Sequence, residues 1–174
     1  MIELLILYSL YIREATMYSI QKCIKENFSP YSSPSFGALN PALKRLENND
    51  YIKCRQVMSE GGKLSCYYEN TSKGNQYMKK LILEPLSDNP QQFFSKAGIK
   101  ISMADVLNFE EKNELFIMLK SYALKFKNSA ENIFENEYNK INFYQKLAID
   151  NTICEYKNFI NMVEGLEKDN ARNS

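Results

Sequence analysis

The stretch Ser33-Pro34-Ser35-Phe36-Gly37-Ala38-Leu39-Asn40-Pro41-Ala42-Leu43-Lys44-Arg45-Leu46-Glu47-Asn48-Asn49-Asp50-Tyr51-Ile52 decides the fold. Leu39, Leu43 and Leu46 recur at helical spacing, so residues 35–49 read as a helix with those leucines turned inward. Asn48-Asn49-Asp50 stops it. Pro41 has two readings. Either it lies within the first turns after a Ser35 cap, or Asn40 is the cap and Pro41 opens the helix. Residues 52–59 and 64–70 then read as strands, joined by a turn at Glu60-Gly61-Gly62-Lys63 where glycine tolerates positive φ. Thr71 or Ser72 caps a further helix to about Leu83. A two-stranded hairpin is marginal alone and must pack on the helices. A helix beside a β-ribbon is a common way to present side chains to a DNA groove.

Upstream, Ile2, Leu5, Ile6 and Leu10 mark a buried first helix over residues 2–12. It lacks a basic leader and carries Glu3, so it is a poor signal peptide. No run is long enough to span a bilayer, and the expected location is the cytoplasm. Thr16 caps a second helix to about Asn27, with Ile20, Cys23 and Ile24 inward. Ser29-Pro30-Tyr31-Ser32-Ser33-Pro34 is a loop, because its prolines cannot continue a helix.

Beyond Glu84 the character changes, and the expected domains are 1–84 and 85–174. Asn89-Pro90 caps a short helix ending near Gly98. Asn108 caps a long helix to about Asn136, and a last helix covers about 142–168, followed by a polar tail that frays. Phe116, Leu119, Ala123, Phe126, Ala130 and Ile133 step by three and four, the period of a packing seam. Ile149, Ile153, Tyr156, Ile160 and Val163 repeat it. An antiparallel pair could use both seams for its own core. Further apolar residues at Leu115, Tyr122, Phe134, Leu147, Phe159, Met162 and Leu166 favour a homodimer interface on these helices.

Composition excludes much. There is no histidine, which removes the commonest general base and every Ser-His or Cys-His pair. No glycine-rich phosphate loop is present, so the chain does not read as an enzyme. Cys23, Cys54, Cys66 and Cys154 form no C-x-x-C pair; they read as free thiols rather than a zinc site or a disulfide framework, with a redox-sensing thiol as the competing reading, and no metal or cofactor is expected. Net charge is +1 overall, but residues 1–83 carry +4 and residues 84–174 carry −3. The basic half is the one with the helix and ribbon.

At the level of motifs, residues 2–83 resemble the PadR family of bacterial transcriptional regulators. Pro34-Ser35-Phe36-Gly37 through Pro41-Ala42-Leu43-Lys44-Arg45-Leu46-Glu47 matches the family's recognition helix. Tyr68-Glu69-Asn70-Thr71-Ser72-Lys73-Gly74 matches the end of its wing, and Met17-Tyr18 stands where the family has Gly-Tyr. The resemblance implies a mainly α fold: an N-terminal winged helix-turn-helix with a two-stranded wing, then a C-terminal long-helix dimerisation domain. It implies a dimeric DNA-binding regulator, most often a repressor, whose DNA affinity a small-molecule effector shifts. Phe93, Phe94, Phe109 and Phe116 would line an effector site, unless they are plain core.

The departures fall on the reading surface. Asn40 replaces a tyrosine, Ala38 a polar residue, Asp50 the glycine that closes the helix, Asn70 a leucine and Met17 a glycine. The wing keeps only Lys63 as a nearby cation. Expected DNA contacts are Tyr18, Ser35, Phe36, Gly37, Ala38, Asn40, Lys44, Arg45, Lys63 and Tyr68. Asn40 suits adenine, and Phe36 or Ala38 a thymine methyl. Tyr18, Lys44, Arg45 and Lys63 suit phosphates. For Asn40 a cap, and for Lys44 and Arg45 a solvated face, are the competing readings. Expected dimer residues are Phe116, Leu119, Ala123, Phe126, Ile133, Ile149, Ile153, Tyr156, Ile160 and Val163. The expected partners are a pseudo-palindromic DNA operator, a second copy of the chain and an effector, with no membrane. A winged helix that binds proteins rather than DNA is the alternative.

Overall fold

A short segment that is apolar on nearly every side has to lie inside, and Ile2–Ile12 (α1) does so. Leu4, Leu5, Ile6, Leu7 and Leu10 are buried on it. The buried Ser9 is satisfied by donating to Leu5 O at 2.8 Å. The computed structural model describes residues 1–58, 62, 64–135 and 140–172.

The chain forms two compact units, Met1–Glu84 with Ser95–Val106, and Pro85–Phe94 with Leu107–Ser174. In the first, α1 is the central helix and contacts α2 (Met17–Phe28), α3 (Phe36–Asn48) and α4 (Ser72–Leu83). Thr16 caps α2 through a hydrogen bond from Ser19 N to its Oγ1. Ile20, Ile24 and Phe28 are buried, while Cys23 is half-exposed at the flank.

α3 begins at Phe36 directly after Ser35, which settles the two readings of Pro41: the proline lies inside the helix, exposed. The missing N–H withdraws the usual i+4 donor from Gly37 O, which lies in the solvent-exposed first turn. The far end closes with paired reverse hydrogen bonds, Tyr51 N to Leu46 O and Asp50 N to Glu47 O, both 2.9 Å. Asp50 sits at φ +59, the left-handed position that favours glycine.

β2 (Ile52–Met58) and β3 (Leu64–Asn70) pair antiparallel, from Ile52 opposite Asn70 to Met58 opposite Leu64. The sheet is three-stranded, not two-stranded. Ala15–Thr16 (β1) pairs with the free side of β3, giving the order β1-β3-β2. Two residues are too few to show a strand period, so this addition left no pattern in the sequence. Of the expected turn, Gly62 is described and has φ +75; Glu60, Gly61 and Lys63 lie outside the described residues.

Thr71 is the cap of α4: its Oγ1 accepts Gly74 N–H at 3.0 Å and lies 2.7 Å from Asp50 O, to which its hydroxyl donates. Gly74 is required by space. A Cβ there would stand 1.9 Å from Tyr51 O.

The helix opened by Asn89-Pro90 is α5 (Pro90–Ser102), longer than expected. Gly98 does not end it. A Cβ at Gly98 would meet the Tyr31 ring at 2.5 Å, so the glycine serves close packing. A 3-10 turn, Ala104–Val106, follows.

In the second unit, α6 (Phe109–Glu135) and α7 (Phe143–Arg172) are the long helices. Each opens with a reciprocal cap, Asn108 with Glu111 and Asn142 with Gln145. They run antiparallel, as the pairings Lys120–Glu167, Phe126–Tyr156 and Asn170–Asn113 require. Glu167–Arg172 remains helical rather than fraying. Glu167 is tied to Lys120, and Asn170 donates to Phe109 O. Asn173 and Ser174 lie outside the described residues.

Candidate nucleic-acid interface

Burying Leu39, Ala42, Leu43 and Leu46 turns the opposite side of α3 outward. That side carries Phe36, Gly37, Asn40, Lys44 and Asn48, all exposed. Ala38 is half-exposed. Ser35 is exposed at the cap position but makes no capping hydrogen bond through its side chain. Phe36, Asn40 and Lys44, at i, i+4 and i+8, form one row.

Tyr18, at the start of α2, joins this surface. Its ring stacks on Phe36 with centroids 6.3 Å apart, and the two side chains are 68% and 41% exposed. Gln21 Nε2 donates to Pro34 O at 3.2 Å and holds the approach to α3 against α2. The surface therefore combines aromatic area, the amides of Asn40 and Asn48, each with donor and acceptor, and the Lys44 ammonium group. Such a set can hydrogen-bond base edges, touch methyl groups and meet a phosphate.

Arg45 is placed otherwise. Its Nε donates to Glu3 Oε1 at 2.8 Å, and Tyr77 Oη donates to Glu3 Oε2 at 3.2 Å. One carboxylate on α1 thus fastens α3 and α4. Tyr68 shares the inward-leaning side of the wing with Cys54, its cross-strand partner. It is half-buried, and burial, then the charge of Glu47, pushes its phenol pKa up. Lys63 lies outside the described residues.

The wing has cations that sequence reasoning passed over. Lys53 and Arg55 stand two residues apart on the outer side of β2, both exposed. Arg55 pairs with Glu14 at 2.6 Å and lies over the Tyr67 ring, 6.0 Å from its centroid. Their i, i+2 spacing in a strand was the available signal.

Cys54 and Cys66 are joined in a disulfide, which corrects the expectation of four free thiols. Cys23 and Cys154 are free. The register explains the pairing: Cys54 lies opposite Tyr68 and Cys66 opposite Gln56, so the cysteines are diagonal neighbours on one side of the ribbon. Among the described residues no cluster of three or more His, Cys, Asp or Glu could hold a metal ion. No helix among them is long and apolar enough to cross a membrane.

In the second unit, Phe116, Leu119, Ala123, Phe126, Ile153, Tyr156, Ile160 and Val163 are buried within one chain, where α6 meets α7. They form the pair's own core. Leu115, expected off the seam, is also fully buried. Ile149 is half-exposed and Ile133 exposed, both on a cleft of about 390 Å³ that also includes Ile141 and Ala148. The aromatic cluster is real but differently composed. Phe93 meets Phe94, Phe126, Tyr156 and Phe159 with centroids 5.0–5.7 Å apart. Among the described residues no ring contact brings Phe109 or Phe116 into it. Beside the cluster, Phe94, Glu155, Asn158, Phe159 and Met162 line a cleft of about 350 Å³.

Lys100 was invisible to sequence reasoning. It is 3% exposed and donates to Leu81 O, Ile82 O and Glu84 O at 2.8, 2.6 and 2.6 Å. It thereby satisfies the last carbonyls of α4. Burial lowers its pKa to about 8, against an upward pull from Glu84. Its only sequence signal is its position seven residues after Phe93 and three after Ala97, on an apolar stripe.

The transcriptional regulator PadR-like family model matches residues 6–80. A PadR-like transcription factor from Bacteroides fragilis is 30% identical, over 45% of this chain and 74% of that one, with a TM-score of 0.41. A transcriptional regulator from Clostridium thermocellum is 31% identical, over 45% and 75%, with a TM-score of 0.42. PadR from Bacillus subtilis in complex with operator DNA is 18% identical, over 97% and 98%, with a TM-score of 0.47. No curated protein matches the chain at a significant level.

Proposed function

The chain belongs to the PadR-like family of transcriptional regulators, and from that premise we propose that it is a dimeric, DNA-binding repressor whose α3 reads a pseudo-palindromic operator. The observation that carries this is the row Phe36, Asn40 and Lys44, exposed on a helix whose other side is fixed in the core. Asn40 reads adenine, Phe36 and Ala38 meet thymine methyls, and Lys44, Tyr18 and Lys53 meet phosphates. The operator is accordingly A·T-rich. The first unit is the DNA-binding domain and the second the dimerisation domain, in a protein acting inside the cell.

With the α6–α7 seam occupied internally, the dimer face lies on the outer sides of those helices. Ile117, Leu124, Leu147 and Met162 are 61%, 40%, 58% and 45% exposed there. The effector enters the cleft at Phe94 and Phe159. It is an apolar, ring-containing molecule with a donor for Glu155, and it acts by binding one dimer geometry better than the other.

The test is a mobility shift and anisotropy titration with duplexes covering the DNA upstream of the protein's own coding sequence. Specific retention that weakens as salt rises is the expected result. A folded dimer that shifts none of these duplexes at low salt would sink the reading. One observation favours an adaptor that binds protein instead: Arg45 and Arg55 are both engaged by carboxylates, Glu3 and Glu14. Retention of DNA by the wild type and its loss in Lys44→Glu would dispose of that alternative. Sedimentation of Leu147→Glu with Met162→Glu, expected to be monomeric, tests the dimer face.

A further inference from the structure

The wing carries a thiol pair that no step of DNA recognition requires. Cys54 and Cys66 sit midway along β2 and β3, half-exposed, with Cα atoms 5.8 Å apart. That separation lies within the roughly 4.4–6.8 Å over which a disulfide closes without backbone movement. β2 is an edge strand, held by hydrogen bonds to β3 on one side alone. A bond from Cys54 to Cys66 therefore ties the edge to the middle strand.

We infer that Cys54 and Cys66 form a reversible dithiol–disulfide switch that sets the order of the wing, with hydrogen peroxide as the oxidant. One thiolate attacks a peroxide oxygen, giving a sulfenic acid and hydroxide. The second thiolate displaces hydroxide from that sulfur and the S–S bond forms. Two thiols and one peroxide become one disulfide and two waters; two electrons pass from the sulfurs to the peroxide. A small dithiol reverses the step by exchange. Neither cysteine needs to travel, because the strand register already places them side by side.

The physical consequence is loss of freedom at the wing. Beyond its junction with β1 the ribbon is two-stranded, and such ribbons open readily. The bond removes open conformations from β2 and so pre-organises Lys53. Pre-organised contacts bind more tightly, because less ordering remains to be done in the complex. This consequence for DNA rests on the proposed operator binding; the thiol chemistry does not.

The full chain is compared after dithiothreitol and after a small excess of peroxide, with Cys66→Ser treated identically. Peptide mapping is expected to find a Cys54–Cys66 linked peptide after peroxide, 2 Da lighter than the dithiol. Amide exchange over residues 53–57 and 64–68 should slow at least several-fold, and anisotropy should show upstream duplex binding tightened about three- to tenfold. Cys66→Ser should show none of these changes. Recovery of both thiols free after peroxide overturns the switch, as does a linked wing whose exchange is no slower. A slowed wing with unchanged or weakened affinity overturns the DNA consequence. Failure of both redox forms to bind any duplex defeats the operator reading, while mapping and exchange still decide the thiol pair.

Discussion

Tyr18 stacks on Phe36 across the α2–α3 junction, their rings 18° from parallel and both open to solvent. Two aromatic rings left exposed side by side act as one platform. In the proposed complex that platform meets the groove wall as a unit, so removing either ring disturbs the other. Phe36→Ala and Tyr18→Ala should each weaken duplex binding about tenfold. The double variant should lose less than the product, with a coupling of about 1 kcal/mol. Anisotropy titrations of the four proteins decide it, and strictly multiplicative losses would mean the rings act separately.

Gly74→Ala should destabilise the first unit by about 1–3 kcal/mol, because the new methyl group would displace the Tyr51 carbonyl. That carbonyl also accepts the Thr71 N–H at 3.0 Å, so the end of β3 and the start of α4 shift together. Urea unfolding followed by circular dichroism is the measurement. A midpoint equal to wild type would show that the backbone yields cheaply.

Asp50→Gly should have the opposite sign. At φ +59 the aspartate carries a Cβ penalty that glycine lacks, offset in part by glycine's greater freedom when unfolded. The net expectation is a gain of about 0.5–1 kcal/mol. The Thr71 hydroxyl bonds to the Asp50 backbone, so that contact survives the change.

Lys100 gives a pH signature with a definite sign. Its folded pKa is about 8, below the ordinary lysine value of 10.5 that the unfolded chain has. Between those values the unfolded chain binds more protons, so stability linked to this group rises with pH across that window. The stability of wild type relative to Lys100→Met, from urea melts at pH 7 and pH 9.5, should therefore increase. Titrating groups shared by both proteins cancel in this comparison. A difference independent of pH would return Lys100 to an ordinary pKa.

The fold was legible because its punctuation is local. Thr16, Thr71 and Asn108 cap helices within three or four residues of sequence, and the leucines of α3 state their own period. β1 was not legible, since a two-residue strand exists only through its partner β3. Lys100 was hidden because a lysine in a helix reads as solvated until three carbonyls converge on it. The Cys54–Cys66 pairing follows from hairpin register, and a one-residue slip would have separated them. Arg45 reads from sequence as a phosphate contact or a solvated cation, because nothing local shows that Glu3, 42 residues away, lies alongside it. Phe116, Leu119, Ala123, Phe126, Ile153, Tyr156, Ile160 and Val163 of the seam are buried while Ile133 and Ile149 are not, and periodicity cannot tell a helix's partner within the chain from a partner outside it.

From Phe36 to Leu43, α3 bears no formal charge, and Arg45 is held by Glu3. Non-specific attachment to DNA is supplied almost wholly by phosphate neutralisation, so a reading head this sparse in free cations grips random sequence weakly. In the proposed role, the consequence is kinetic. Such a regulator spends little time sliding and finds its operator chiefly by repeated encounters from solution. Its occupancy then follows its cellular concentration closely, with few molecules sequestered on the rest of the chromosome.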